Sequence, residues 1–390
     1  MKARHTVQEI LRQTPFNENF NPFSERVLNQ LCKCRSAALG YHHYHCSNSD
    51  CNHVHYQYHS CHNRHCPSCN WQRHDEWQEA RMNELLPVKY FHTVFTLPQE
   101  LNALLMGNRA VLFKLLFDSA AYCLLKLCND PKWLGAMPSI TAVLHTWGQQ
   151  LSFHPHVHCI VSGGGADKDY RWHNLKKSVK YGYLFPYDVM EAVFKGYFLE
   201  KLNVMVKTKQ VSLPGNTHWP KLKDGLYKQK WILYAKQPMG NVSQVVEYLA
   251  RYAHKVAISN YRILDVSDTQ VRFRYKDYND GKKSKTLRIS KDEFVRRFEQ
   301  HILPKGFVKM RHYGLLGNFK RKERINKILD GMGLPQHPPT VKIPFYIRFF
   351  EKFGVDIMLC PACKKAKLQL IGVVFPNIRG SPKIKRFEAL

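Results

Sequence analysis

The sequence predicts an α+β chain in three parts: a small metal-organised module at 1–87, an α+β domain at about 88–265 and a basic accessory region at 266–390. Three observations carry this expectation. Cysteine and histidine crowd residues 32–74, the composition of a module that folds around metal. From Tyr90 the chain turns to apolar, β-rich runs mixed with helical stretches. Beyond residue 265 it is basic and ends near a lone Cys360-Pro361-Ala362-Cys363 knuckle.

Taken in order, the module closes with a helix-like run, Trp71 to Leu86, halted by Pro87. Tyr90 to Leu97 reads as a strand and Leu101 to Leu127 as helical. Two further strand-like runs follow, Ile140 to Trp147 and His156 to Val161, the second ended by Gly163-Gly164-Gly165. After a polar, variable-looking stretch come a strand, Lys230 to Ala235, and a strong helix from Val242 to about Ala257. Val271 to Tyr275 and Thr286 to Ile289 flank Asn279-Asp280-Gly281 and predict a hairpin. Ser290 and Glu293 match a capping box that opens a helix to about His301. No internal repeat or low-complexity segment interrupts this order.

At 390 residues, 44% hydrophobic and 23% charged, the chain can bury two or three cores. The unusual quantity is charge. Its 59 Lys and Arg outnumber 30 Asp and Glu, and the net +29 is spread along the chain. Such an excess calls for a polyanion, with nucleic acid ahead of an anionic membrane. The first thirty residues hold no apolar core of a signal peptide, and Lys114, Asp118 and Lys126 break the greasiest stretch, Ala110 to Cys128. With no export signal, twelve cysteines point to reduced thiols, metal and a cytoplasmic location.

Cys46-x4-Cys51, followed after fourteen residues by Cys66-x2-Cys69, has the spacing of two knuckles closing on one structural zinc. Cys34, Cys61 and His65 remain for a second zinc site, with His42, His43, His45 and His53 nearby. Cys360 and Cys363 either meet a distant pair or bind nothing. Cys123, Cys128 and Cys159 lie in apolar runs and read as core residues.

In a strand, His156 and His158 project from one face about 7 Å apart and can share a divalent ion. His145, eleven residues before His156, is the candidate third ligand, and His154 is its rival. Three nitrogen ligands would leave positions open for a phosphate oxygen and water. On the helix after Asn241, Val242, Val245, Val246, Leu249, Ala253 and Val256 form an apolar stripe. Tyr248 and Tyr252 fall just off its edge, with Gln244 and Lys255 further round. They are either an aromatic core pair or two nucleophiles one turn apart, with Lys255 to offset phenolate charge.

These residues carry a family resemblance. Phe153-His154-Pro155-His156-Val157-His158, Tyr248-Leu249-Ala250-Arg251-Tyr252 and Ala257-Ile258-Ser259-Asn260 resemble the rolling-circle transposases of the insertion sequence ninety-one family. These are two-tyrosine members of the HUH (His-hydrophobe-His) endonucleases. Ser60 to Cys69 is similar to the family's zinc module and Tyr90 to Pro98 to its first catalytic strand; Phe294 to His301 and Arg311-His312-Tyr313-Gly314 also look familial.

The resemblance implies an HUH endonuclease domain, an antiparallel sheet with helices, that holds Mg2+ or Mn2+ beside a structural Zn2+. It implies a tyrosine that attacks single-stranded DNA at transposon ends, forms a 5′-phosphotyrosine and passes the strand to target DNA. Gln244, Arg251 and Arg64 are the candidate DNA contacts. No small-molecule substrate or membrane is implied, and no Gly-x4-Gly-Lys phosphate loop occurs. Some relatives use one tyrosine. A replication initiator or relaxase would share the chemistry, and a non-catalytic zinc-ribbon regulator would share the charge and the cysteines.

Overall fold

The computed structural model describes residues 3–16, 20–69, 85–176, 184–215, 217–239, 244–245, 255–338, 343–376 and 384–386. The chain is α+β and divides into two compact units. One comprises Met1–Arg73, Ile258–Glu299 and Pro339–Leu390; the other comprises His74–Ala257 and Gln300–Pro338. The basic region expected at 266–390 is thus divided between the two units, since Met310–Gly314 pairs with Met137–Trp147 of one and Leu368–Val374 with Tyr41–Cys46 of the other.

The first unit begins with helices α1 (Val7–Gln13) and α2 (Pro22–Cys32). Thr6 and Glu9 form a reciprocal capping box on α1, and the Asn21 side chain with Pro22 starts α2. Strands β1 (Tyr41–Cys46) and β2 (Val54–Tyr58) then form a hairpin.

The second unit takes over with β3 (Tyr90–Thr96), α3 (Asn102–Gly107) and α4 (Arg109–Asn129). The helix expected at 101–127 is therefore broken. Asn108 leaves helical geometry and bonds Ser212 in both directions, N–H to Oδ1 at 2.9 Å and Nδ2 to C=O at 2.8 Å. Strands β4 (Met137–Trp147), β5 (Phe153–Ala166) and β6 (Trp172–Asn174) follow. The polar, variable-looking stretch contains helices α5 (Tyr187–Lys207) and α6 (Trp219–Lys228), before β7 (Leu233–Met239). Met190, Phe194, Phe198 and Leu202 recur every fourth residue and bury one stripe of α5, a signal masked in sequence by interspersed lysines and Gly196.

Strands β8 (Ile263–Val266), β9 (Gln270–Asp277), β10 (Lys283–Ser290) and helix α7 (Lys291–Glu299) belong to the first unit. The expected hairpin forms, with Val271 opposite Ile289, and Gly281 adopts φ +56° in its turn. Ser290 Oγ accepts from the Glu293 N–H at 3.2 Å, while the Glu293 carboxylate binds Arg296 and Arg297. Strand β11 (Met310–Gly314) and α8 (Arg321–Gly331) return to the second unit; α9 (Phe345–Phe353), β12 (Leu368–Val374) and β13 (Ile384–Arg386) complete the first.

In the first unit one antiparallel sheet has the order β13-β12-β1-β2 and another β10-β9-β8. In the second unit the order is β11-β4-β5-β3-β7, with β6 paired to β5, antiparallel throughout. Phe95, Val157, Cys159, Val161, Ala142 and Leu144 point to one side of this sheet and join α4 and α5 in the main core, which also takes Cys123 and Cys128. Strand β5 does not stop at Gly163-Gly164-Gly165, as expected, but runs through it. A Cβ on Gly164 would lie 2.4 Å from the His173 carbonyl and one on Gly165 2.4 Å from that of Met137, so these glycines let β6 and β4 approach.

The run Trp71–Leu86 and the helix Val242–Ala257 fall largely outside the described residues. Of the latter, Gln244 and Val245 are helical and residues 255–257 are not. Among the described residues no helix is long and apolar enough to cross a membrane.

Candidate active site and cysteine clusters

The side of the second unit's sheet opposite the main core carries histidines. Register explains why. On antiparallel strands, directly opposed residues share a face, and so do residues two apart. His145 on β4 lies opposite His156 on β5, Val143 lies opposite His158, and Val94 on β3 flanks His158 from the other side. One hairpin therefore presents His145, His156 and His158 together, with ring nitrogens within 4.8 Å of one another. His154 is exposed and stands outside this cluster, so of the two candidates only His145 joins the pair.

The rings are oriented by their neighbours. His156 donates Nδ1–H to the His154 carbonyl at 2.7 Å, leaving Nε2 with a bare lone pair. His158 Nδ1 meets His92 Nε2 at 2.9 Å, and His145 stacks on Trp147 with ring centres 4.5 Å apart. Burial, helped by His154 and Lys255, pushes His156 down to about 3. Burial also holds His158 well below the usual imidazole range, aided by His145, His156, His92 and Lys255. Neutral imidazoles of this kind are ligands rather than acids.

Lys255 is exposed, and its charge reaches both rings. Its carbonyl accepts from Lys309 Nζ at 2.8 Å, and that ammonium lies 5.1 Å from the Trp147 ring centre. His92 and Lys309 escaped the sequence reading. His92 could have been found, since it stands two residues from Val94 on the same face of β3.

Tyr248, Arg251 and Tyr252 lie outside the described residues. Gln244 is exposed and Val245 fully buried, in keeping with the apolar stripe drawn for that helix. Arg64 is exposed in the cysteine-bearing loop of the first unit.

The cysteines of the first unit do not pair as their spacing suggested. Cys66 and Cys69 meet Cys34 and Cys61, whereas Cys46 and Cys51 meet Cys360 and Cys363. Each knuckle forms, but β12 pairs with β1 and carries the C-terminal knuckle to Cys46 and Cys51. His65 joins neither cluster; its N–H donates to Asn63 Oδ1 at 3.0 Å.

In the first cluster Cys34 and Cys66 are 3.5 Å apart and Cys61 and Cys69 3.7 Å. A tetrahedral zinc with Zn–S bonds of about 2.3 Å requires sulfurs about 3.8 Å apart. The cluster is tied into the unit by a polar chain. Gln8 Nε2 donates to Cys66 Sγ at 3.2 Å, Ser68 Oγ to Gln8 Oε1 at 2.9 Å, and Asn260 Nδ2 to Ser68 Oγ at 3.0 Å. Asn260 Oδ1 in turn accepts from the Val7 N–H at 3.0 Å, which ties the start of α1 to the cysteine cluster.

Two family models match the chain. One described as "Putative transposase" covers residues 139–324, from β4 into α8, and one described as "Transposase zinc-binding domain" covers residues 3–97. The chain is 38% identical over 370 residues to "Putative transposase y4qJ" of Sinorhizobium fredii (strain NBRC 101917 / NGR234), covering 92% of this chain and 91% of that one. It is 29% identical over 345 residues to "Transposase for insertion sequence element IS801" of Pseudomonas savastanoi pv. phaseolicola, with 86% and 81% covered. No solved structure matches.

Proposed function

Because the chain belongs to the IS91 family of transposases, with a zinc-binding domain at its N-terminus, we propose that it nicks and rejoins single-stranded DNA through a covalent tyrosine intermediate. The observation that carries this reading is the trio of imidazoles converging on one sheet face, two of them, His156 and His158, with lowered pKa, beside the Lys255 charge and inside the transposase match.

The donor set fits a divalent cation. Three ring nitrogens converge, and on His156 the one hydrogen of the neutral ring is committed to the His154 carbonyl. Mg2+ or Mn2+ held by His145, His156 and His158 would polarise a phosphate oxygen and make its phosphorus easier to attack.

Tyr248 or Tyr252 supplies the nucleophile. Its Oη–P bond forms as the P–O3′ bond breaks; the phenolic proton leaves to solvent and the departing 3′ oxygen gains one. The products are a 5′-phosphotyrosine and a free 3′-hydroxyl. Attack by a 3′-hydroxyl on that phosphotyrosine reverses the exchange and seals the strand. One ester replaces another, so no nucleotide is consumed. Lys255 offsets charge on the phenolate, and Gln244, Arg251 and Arg64 contact the DNA.

The test uses Tyr248→Phe and Tyr252→Phe, which keep the rings and remove the nucleophile. With a single-stranded oligonucleotide and Mg2+ or Mn2+, the wild type forms an adduct that survives denaturing electrophoresis, at least one single variant keeps some cleavage, and the double variant forms none. An adduct from the double variant would move the nucleophile elsewhere. Tyr234, opposite Val94 on the histidine face of the sheet, would then be the next to substitute.

A further inference from the structure

We propose that Cys46, Cys51, Cys360 and Cys363 form a second tetrathiolate zinc site, separate from that of Cys34, Cys61, Cys66 and Cys69, which fastens the C-terminal strand β12 onto the N-terminal hairpin. The four sulfurs lie within 4.8 Å of one another, with Cys46 and Cys363 3.6 Å apart and Cys51 and Cys360 3.9 Å. Those separations match the edge of a zinc–sulfur tetrahedron, about 3.8 Å for bonds of about 2.3 Å. A covalent bond between sulfurs would need about 2.05 Å, and all four cysteines are free.

The backbone builds both halves as knuckles. Cys46 ends β1, and the Asn48 N–H points at its sulfur from 3.5 Å while the Cys51 N–H closes the turn on the Asn48 carbonyl at 3.0 Å. In the other half the Cys360 N–H bonds the Ala366 carbonyl at 2.8 Å and the Lys364 N–H the Cys360 carbonyl at 3.0 Å, with Lys364 at φ +54°. The β1–β12 ladder sets the two turns face to face, with Cys46 opposite Leu368 and the Ser47 N–H on the Lys367 carbonyl at 2.9 Å.

Two features of the surroundings call for an ion here. The sheet has little core of its own: along the described residues of β1, β2 and β12 only Leu368 and Val373 are buried apolar side chains. A sheet this poor in apolar burial needs a staple. Four thiolates on zinc carry a net charge of −2, and the exposed Lys364, Lys365 and Lys367 stand beside them. The zinc-binding match ends at residue 97 and the transposase match at 324, so two of the four ligands lie outside both.

The experiment counts zinc freed from the full-length, reduced protein when a mercurial blocks its thiols, which leaves imidazole-bound metal uncounted. The wild type should release two zinc ions per chain, and Cys360→Ser/Cys363→Ser one. Cys363→His keeps a ligand and should keep both ions, which separates loss of the site from loss of the fold. In the Co2+-loaded protein, thiolate-to-cobalt absorption should fall by half in the double serine variant. One zinc per wild-type chain, a double variant with the wild-type count, or alkylation-resistant Cys46–Cys363 and Cys51–Cys360 disulfides would each overturn the proposal.

Discussion

Neutral imidazole with one nitrogen pinned by a carbonyl is the state a metal ligand needs, and His156 is held in it. Alanine at His156 or His158 should abolish strand cleavage while oligonucleotide affinity changes only a few-fold, since affinity comes from the +29 charge. Equal loss of binding and cleavage in a folded variant would contradict this assignment. His92 touches His158 at its Nδ1 and, if His158 holds the ion, would act one step further out as a positioning residue. His92→Ala should therefore raise the Mg2+ or Mn2+ concentration needed for half-maximal nicking by about 10–100-fold, with the rate recovering at saturating metal. A rate that stays low at every metal concentration would assign His92 another role.

The β4–β5 hairpin that aligns these histidines depends on a buried contact at its turn. His301 is 3% exposed; its Nδ1 lies 3.2 Å from the Thr146 hydroxyl and its Nε2 3.2 Å from the Leu151 carbonyl. Leu151 itself is fully buried at φ +58°, a strained conformation that its core packing holds in place. Burial pushes His301 down to about 4, against the Leu151 bond and with help from Arg109. Above pH 6.5 the folded and unfolded chains both carry this ring neutral. As pH falls from 6.5 towards 4, the unfolded chain binds a proton that the folded one refuses, so stability is lost across that window, by about 3 kcal/mol at most. His301→Gln keeps donor and acceptor without titrating. Thermal melts of the variant should fall less than wild type between pH 6.5 and 4; parallel curves would show that His301 is not the group responsible.

The first unit as a whole is organised around its cysteines. Cys66 is fully buried, accepts from Gln8 and connects through Ser68 and Asn260 to the start of α1. Cys66→Ser should lower both zinc content and melting temperature, because the binding energy of a structural zinc is part of the folding energy. Unchanged zinc and unchanged melting would remove this site from the stability of the unit. The second unit is held by an apolar core instead, with Phe95, Phe117, Phe194 and Trp231 fully buried, so metal removal should unfold the first unit before the second. Calorimetry with and without a chelator would resolve the two transitions; a single, equally shifted transition would contradict separate stabilisation.

Features written within one turn or one strand were legible in the order of residues. Alternation along His156-Val157-His158 put both imidazoles on one face, the Asn279-Asp280-Gly281 turn marked a hairpin, and Cys123, Cys128 and Cys159 in their apolar runs went to the core. Each follows from a fixed backbone period or a turn geometry that the local residues impose. His145 was reachable only because a short return brings a strand eleven residues away alongside. Distance along the chain decided the rest. Cys46 and Cys363 are 317 residues apart, and nothing in either knuckle specifies its partner; the pairing of β12 with β1 does. In the same way β11, read as part of a basic tail, became the edge of the histidine-bearing sheet because β4 offered it a free row of backbone groups. Local spacing sets which side chains share a face, but which faces and edges meet depends on long-range burial and strand pairing, and those exist only once the chain has folded.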